Sequence, residues 1–224
     1  MALKSLFFQA ISKFLLGLLI VSAILFVSAG TLAYINGWIF IAILFIPMFI
    51  AGIVLLIVNP ELLKKRLSAK EEQAEQKAVV ALSGLMFVAA FVVAGLNFRF
   101  GWFILPNLAV FIGVAVFILA YVMYAEVLRE NVYLSRTVEV QNEQKVIDTG
   151  LYGIVRHPMY SSTLFLFLSM GIVLGSPISF AIFLLYIPII VLRIINEEKV
   201  LEEGLEGYSE YKKRVKYRII PFIW

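Results

Sequence analysis

The sequence has no cysteine and one histidine, His157, among its 224 residues. Without a thiol there is no disulfide, no thiolate metal site and no cysteine nucleophile. One imidazole is also too little for a structural zinc or haem site. Charge is scarce: 15% of residues are charged and 62% hydrophobic, where a soluble domain runs about 25% charged and about 45–50% apolar. The solvent such a chain needs is lipid. Its charge balance is positive, at +4, but no basic groove or nucleic-acid module organises it. A basic rim lying on anionic lipid accounts for the same balance, which leaves nucleic acid without a case as partner. Repeats and low-complexity segments are absent as well.

What the sequence does have is long apolar runs. A helix crossing the hydrocarbon needs about 20 mostly apolar residues, and six stretches come near that length: 14–34, 38–58, 78–96, 102–124, 159–175 and 178–195. The fifth is short, and only Ser176 and Pro177 separate it from the sixth, which predicts a tight helical hairpin that need not span at full thickness. The N-terminal run, with Lys4 and Lys13 near it, is too long for a cleaved signal and reads as an uncleaved first span. Six spans place every Asp and Glu, and all of the 19 Lys and Arg residues except Arg99, on one side. Positive residues stay cytoplasmic in short loops. The expected fold is therefore an all-α polytopic membrane bundle of about six transmembrane helices, with a C-terminal helical hairpin and a cytoplasmic helix. Both termini are expected in the cytoplasm, and in a prokaryote the membrane would be the plasma (inner) membrane.

Two segments differ in character. Residues 1–124 are almost pure membrane helix, about four spans with Pro47 and Pro106 as tolerated kinks, and they offer no polar path for an ion or proton. Within them, 61–77 predicts a cytoplasmic helical connector with a solvated charged face. Residues 125–224 hold most of the charge and the chemistry: a polar loop over 126–152, the hairpin, and a cytoplasmic helix over 196–217 continuing the sixth span. Pro221, Phe222, Ile223 and Trp224 form an apolar aromatic end suited to the membrane interface.

Two clusters stand out in that second segment. In Arg156-His157-Pro158-Met159-Tyr160, Pro158 suits a first helical turn, so His157 stands where free N–H groups could meet a polar ligand. The plainer alternative has Arg156 snorkelling to headgroups, His157 capping and Tyr160 in an aromatic belt. In Arg193-Ile194-Ile195-Asn196-Glu197-Glu198, Arg193 and Glu197 share a helix face four residues apart. The plainer alternative there is an intrahelical ion pair, yet ionisable residues at the end of a buried span are a functional hypothesis by default.

These residues resemble a known family. Arg156-His157-Pro158-Met159-Tyr160 is similar to the Arg-His-Pro-x-Tyr signature of isoprenylcysteine carboxyl methyltransferases. Arg193 with Glu197-Glu198-Lys199-Val200-Leu201 resembles their Arg-x-x-x-Glu-Glu-x-x-Leu segment, and Tyr208 through Tyr211 their C-terminal Tyr-x-x-Tyr end. The similarity covers roughly 139–224, and related phospholipid and thiol membrane methyltransferases share its short motifs. Ser162 stands where a glycine often follows the signature, and the loop between Gln141 and Tyr152 is shorter than in eukaryotic members.

The resemblance implies S-adenosylmethionine as cofactor. It assigns the cofactor pocket to Gln141, Gln144, Lys145, Val146, Ile147, Tyr152, His157, Pro158, Met159, Tyr160 and Glu197. It gives Arg193 the acceptor, with Arg193 and Glu197 as the catalytic pair and no metal. A carboxylate acceptor is ionised at neutral pH and needs orientation by a cation more than it needs a base. The expected activity is thus carboxyl O-methylation of an isoprenylcysteine-like or other lipophilic acceptor drawn from the bilayer. The nearest alternative is N-methylation of a phospholipid amine, which needs a proton removed by Glu198, His157 or solvent. A nicotinamide-dependent membrane lipid or sterol-type reductase is the alternative from another enzyme class, and a structural or transport protein is the non-enzyme one. Gly171 and Gly175 form a small-residue pair that fits either the hairpin or a neighbouring subunit.

Overall fold

A computed structural model describes residues 3–67, 74–134 and 140–224. Among the described residues the chain is helical, without strands. Four long apolar helices come from the first part of the chain: α1 (Leu3–Ala29), α2 (Ile35–Val58), α4 (Ala74–Phe100) and α5 (Asn107–Glu130), with the short α3 (Pro60–Leu67) between the second and third of them. The hairpin follows as α6 (Pro158–Val173), then α7 (Pro177–Phe183) and α8 (Tyr186–Gly204), and α9 (Tyr208–Arg214) completes the order. Counting α7 and α8 as one stretch, five are long and apolar enough to cross a membrane. This is an all-α polytopic membrane bundle.

The six-stretch reading holds in order, with altered boundaries. The first helix starts at Leu3 and not near residue 14, and α5 runs on to Glu130, shortening the expected polar loop. At 16 residues α6 is the short member, as its apolar run implied. The sixth stretch is not one continuous helix. Pro188 has no N–H, and its ring crowds the carbonyl four residues back, at Leu184. The chain breaks there: Leu185 N donates to Ile182 O at 3.0 Å and Ile187 N to Leu184 O at 3.0 Å, tighter turns than α-helix. The expected cytoplasmic helix over 196–217 is likewise divided, α8 ending at Gly204 and α9 starting at Tyr208 after Gly207 takes a φ of 82°. Of the 61–77 connector, α3 is helical, and 68–73 lie outside the described residues.

The hairpin is fixed by small residues. Gly175, at φ 70°, reverses the chain; the Ser176 side chain accepts from Ser179 N at 3.2 Å; and Pro177 opens α7. A Cβ on Gly171 would lie 2.4 Å from the Phe180 backbone nitrogen. Its lack of a side chain therefore serves the α6–α7 crossing. In lipid, such close approach supplies packing that the hydrophobic effect does not.

The outer wall is α1 and α2, whose apolar windows are only 11% buried, against 33% for α4 and for the α7–α8 stretch. One core runs through both segments of the chain, from Leu25, Phe40 and Phe91 to Phe183, Ile190 and Ile219. Phe87 packs edge-on against Phe167 (4.7 Å) and Phe183 (5.6 Å), tying α4 to the hairpin. That contact sets α6 and α8 beside the polar end of α5, where the cavity lies.

Candidate active site

The start of α6 is held from outside the helix. Arg156 N donates to Tyr217 O at 2.9 Å and His157 N to Arg218 O at 2.8 Å, so a strap after α9 lies along the two residues before Pro158. Ser161 Oγ donates to Ile219 O at 2.6 Å and extends the seam. Arg156 does not snorkel. It is 6% exposed, donates from Nε to Glu198 Oε1 at 2.8 Å, and donates from Nη1 to Val215 O and Lys216 O at 2.7 and 2.8 Å.

Glu198 is the hub of this arrangement. The carboxylate is 3% exposed and meets Arg156, His157 Nε2 at 3.2 Å, Arg218 Nε at 3.0 Å and Lys212 Nζ at 3.9 Å. A buried charge survives only when paired and hydrogen-bonded, and here four basic groups from three parts of the chain share one acceptor. Glu198 does not line the cavity. It is joined to the cavity through His157, which does line it.

Its neighbour Glu197 faces the other way, into the cavity. The Tyr160 hydroxyl donates to Glu197 Oε2 and accepts from Arg193 Nε at 2.9 Å. His157 Nδ1 lies 3.7 Å from Glu197 Oε1, and its ring stacks on Tyr160 at 5.7 Å. His157 makes no side-chain cap to α6. Tyr160, 4% exposed, belongs to this relay and to no interfacial belt.

The loop before α6 closes the remaining side. A turn with Glu143 at φ 56° lets Gln144 N donate to Gln141 O at 3.1 Å and directs Gln144, Lys145, Val146 and Ile147 to the cavity. A 3-10 turn over Gly150–Gly153 presents Tyr152, whose hydroxyl accepts from Asn131 Nδ2 at 2.8 Å. The Tyr211 hydroxyl donates to Tyr152 O at 2.7 Å. Burial pushes the Tyr152, Tyr208 and Tyr211 phenols up from their ordinary value, so all three are neutral donors at physiological pH.

Most residues named from the sequence thus gather around one cavity: Gln144 to Ile147, Tyr152, His157, Met159, Tyr160, Arg193 and Glu197. Two do not line it. Gln141 braces the loop, donating from Nε2 to Tyr133 O at 2.6 Å and accepting from Lys65 Nζ at 2.5 Å. Pro158 is buried as the first residue of α6. Sequence reasoning missed Asn131, Tyr133 and Leu134, which follow α5 and carry no motif, and Leu205 and Tyr208. For Tyr208 a signal existed in the C-terminal tyrosine pattern.

Residues 108–206 match the model of the phospholipid methyltransferase family. The match covers under half of the chain, but it takes in the cavity-lining residues that follow α5 and those of the loop before α6, of α6 and of α8. The phospholipid methyltransferase family is related to the isoprenylcysteine carboxyl methyltransferases. The match supports a membrane methyltransferase and speaks for methyl transfer over nicotinamide reduction. None of the curated proteins compared with the chain matches it.

The walls fit the methyl donor such an enzyme implies. Tyr208 lines the cavity with its hydroxyl buried and without a hydrogen-bond partner among the described residues, which leaves it able to bond a ligand or water. Glu197 offers negative charge to a cation, Val146, Leu201 and Leu205 an apolar face, and Gln144 and Asn131 amide groups.

Proposed function

We propose that the protein methylates a lipid-tailed acceptor from S-adenosylmethionine, with a carboxylate as the first-choice acceptor group. The observation that carries this reading is the Arg193–Tyr160–Glu197 relay on a cavity wall that also presents the Tyr208 hydroxyl, unbonded among the described residues. When bound, S-adenosylmethionine supplies a methyl group on a sulfonium, and the electron pair of the broken bond stays on sulfur. Glu197, His157, Met159, Tyr152, Tyr208 and the Gln144 to Ile147 stretch are the residues proposed to hold it.

The remaining chemistry is alignment. A carboxylate needs no general base at neutral pH, and the Arg193 guanidinium can orient it by a charge-assisted pair. Tyr160, hydrogen-bonded to both Arg193 and Glu197, fixes the acceptor side relative to the donor side. Fixed geometry of this kind is where most of the rate of a group transfer with an activated donor comes from. The acceptor's tail would come from the bilayer and the cofactor from the cytoplasm, with both termini on that side.

The family match favours a second acceptor, a phospholipid amine. With Glu198 away from the cavity, its proton would leave to His157 or water. Purified protein given methyl-labelled S-adenosylmethionine with a prenylcysteine analogue and, separately, phosphatidylethanolamine decides between them. Label in the prenylcysteine ester is the expected result. Label only in the phospholipid establishes the second reading, and label in neither overturns both.

A further inference from the structure

The strap after α9 has two sides. On the inner one Ile219 belongs to the core that the membrane helices share, and Ile220 and Trp224 pack against it. On the outer one Phe222 and Ile223 are 87% and 75% exposed. The turn that carries them is closed: Ile223 N and Trp224 N both donate to Ile220 O at 3.2 Å, and Trp224 O accepts from Arg218 N at 2.8 Å and Ile219 N at 3.1 Å. The Tyr217 and Phe222 rings lie 5.2 Å apart, and the Arg218 guanidinium stands 4.7 Å from the centre of the Trp224 ring.

Phe222 takes a φ of 65° in this turn. That conformation strains a bulky side chain and suits glycine or asparagine. The turn itself therefore does not call for phenylalanine, and an exposed benzyl group gains nothing from water, whereas hydrocarbon stabilises it. Three neighbours place hydrocarbon within reach. Ser161 Oγ, donating to Ile219 O, fixes the strap at the first turn of α6. Arg218 pairs with Glu198, and one turn deeper along α8 Ile195 is 53% exposed on the outer face of the membrane bundle. Lys216, exposed just before the turn, complements anionic headgroups. The apolar turn is thus continuous with the lipid-facing surface, and it sets aromatic rings beside cations as membrane interfaces do.

The same strap reaches the cavity. His157, which lines it, donates its backbone N–H to Arg218 O at 2.8 Å, and Arg156 N donates to Tyr217 O at 2.9 Å. We propose that Phe222 and Ile223 seat the strap in the bilayer interface, and that this seat holds it across Arg156 and His157. The seat does not depend on methyl transfer, and it is read without turnover.

Because the chain has no cysteine, a nitroxide can be placed at one position at a time. Ile223→Cys, labelled and held in nanodiscs of phosphatidylcholine with phosphatidylglycerol, should collide often with oxygen and rarely with a water-soluble nickel complex. Leu192→Cys, on the lipid-facing side of α8, should do the same, and Glu210→Cys, exposed on α9, the reverse. Phe222→Asn removes the apolar side chain and suits the backbone. It should raise nickel collisions at the Ile223 label several-fold and speed hydrogen exchange of the Arg156 and His157 amides about tenfold, with α5 unchanged. Phe222→Leu should stay near wild type in both. Should Phe222→Asn fail to fold, the Ile223 label in the otherwise wild-type chain carries the test. A label at Ile223 as open to nickel as the one at Glu210 overturns the seat. So does spectral broadening that unlabelled protein relieves, which would put the turn against a second copy. Arg156 and His157 amides that stay as slow in Phe222→Asn as in wild type, or that speed up only together with α5, overturn the hold on the strap.

Discussion

Arg193 Nε donates to the Tyr160 hydroxyl at 2.9 Å, and that hydroxyl donates in turn to Glu197. A residue from α6 thus joins two residues one turn apart on α8, and the cation proposed to hold the acceptor is coupled through a phenol to the carboxylate proposed to hold the donor. Arg193→Lys keeps the charge and loses the planar fork. Methyl transfer should fall by about tenfold or more while S-adenosylmethionine affinity stays within a few-fold, a pattern that marks an interaction with the acceptor. Tyr160→Phe should disturb both quantities. Steady-state kinetics beside cofactor titration checks this, and full turnover in Arg193→Lys would reduce Arg193 to a structural partner.

Glu198 should act through position and stability, without touching the acceptor. Glu198→Gln leaves the buried Arg156 and the part-buried Arg218 without their counter-charge, and breaking one side of a buried pair costs roughly 3–5 kcal/mol. Thermal unfolding in detergent should drop sharply. Glu202→Gln, at a partly exposed carboxylate that pairs with Lys212, should stay within about 1 kcal/mol of wild type. Equal transitions for the two variants would remove the hub from this account.

The difference between Glu197 and Glu198 marks where sequence reading stops. Helical spacing puts Arg193 and Glu197 on one face, and both do face the cavity. Nothing local tells that Glu198 turns to a strap some twenty residues onward, because Arg156, Lys212 and Arg218 converge only after α9 has folded back. Asn131 and Tyr133 were invisible for a related reason: they reach the cavity because α5 continues past the apolar run that marked its end. The break before α8 had a signal in Pro188, which the reading of 178–195 as one span passed over. The snorkelling of Arg156 failed as an expectation because its depth follows from the strap and not from the membrane.

Gly171 is a packing position. A Cβ 2.4 Å from the Phe180 nitrogen has nowhere to go, so Gly171→Ala should force α6 and α7 apart at a cost of about 1–3 kcal/mol. Gly84, whose Cβ would meet nothing within 4 Å, is the control and should tolerate alanine. A shifted melting temperature for Gly171→Ala alone is the expected outcome. Loss of a dimer with unchanged melting would assign Gly171 to a subunit contact.

The proposed sidedness rests on the distribution of the basic residues. Reporter fusions within 140–149 and at Trp224 should report cytoplasm, and one just after Arg99 the opposite side. A C-terminal reporter on the far side would contradict the proposed orientation and the cytoplasmic supply of cofactor with it.

The most direct measurement is isothermal titration of the detergent-purified protein with S-adenosylmethionine and, separately, with NADPH. Saturable binding of S-adenosylmethionine and none of NADPH is the expected result. His157→Ala and Glu197→Ala should each weaken it by about 1–3 kcal/mol, the scale of one hydrogen bond to a charged group. Binding of NADPH alone, or S-adenosylmethionine binding that both variants leave unchanged while folded, would contradict the cavity as the methyl-donor site.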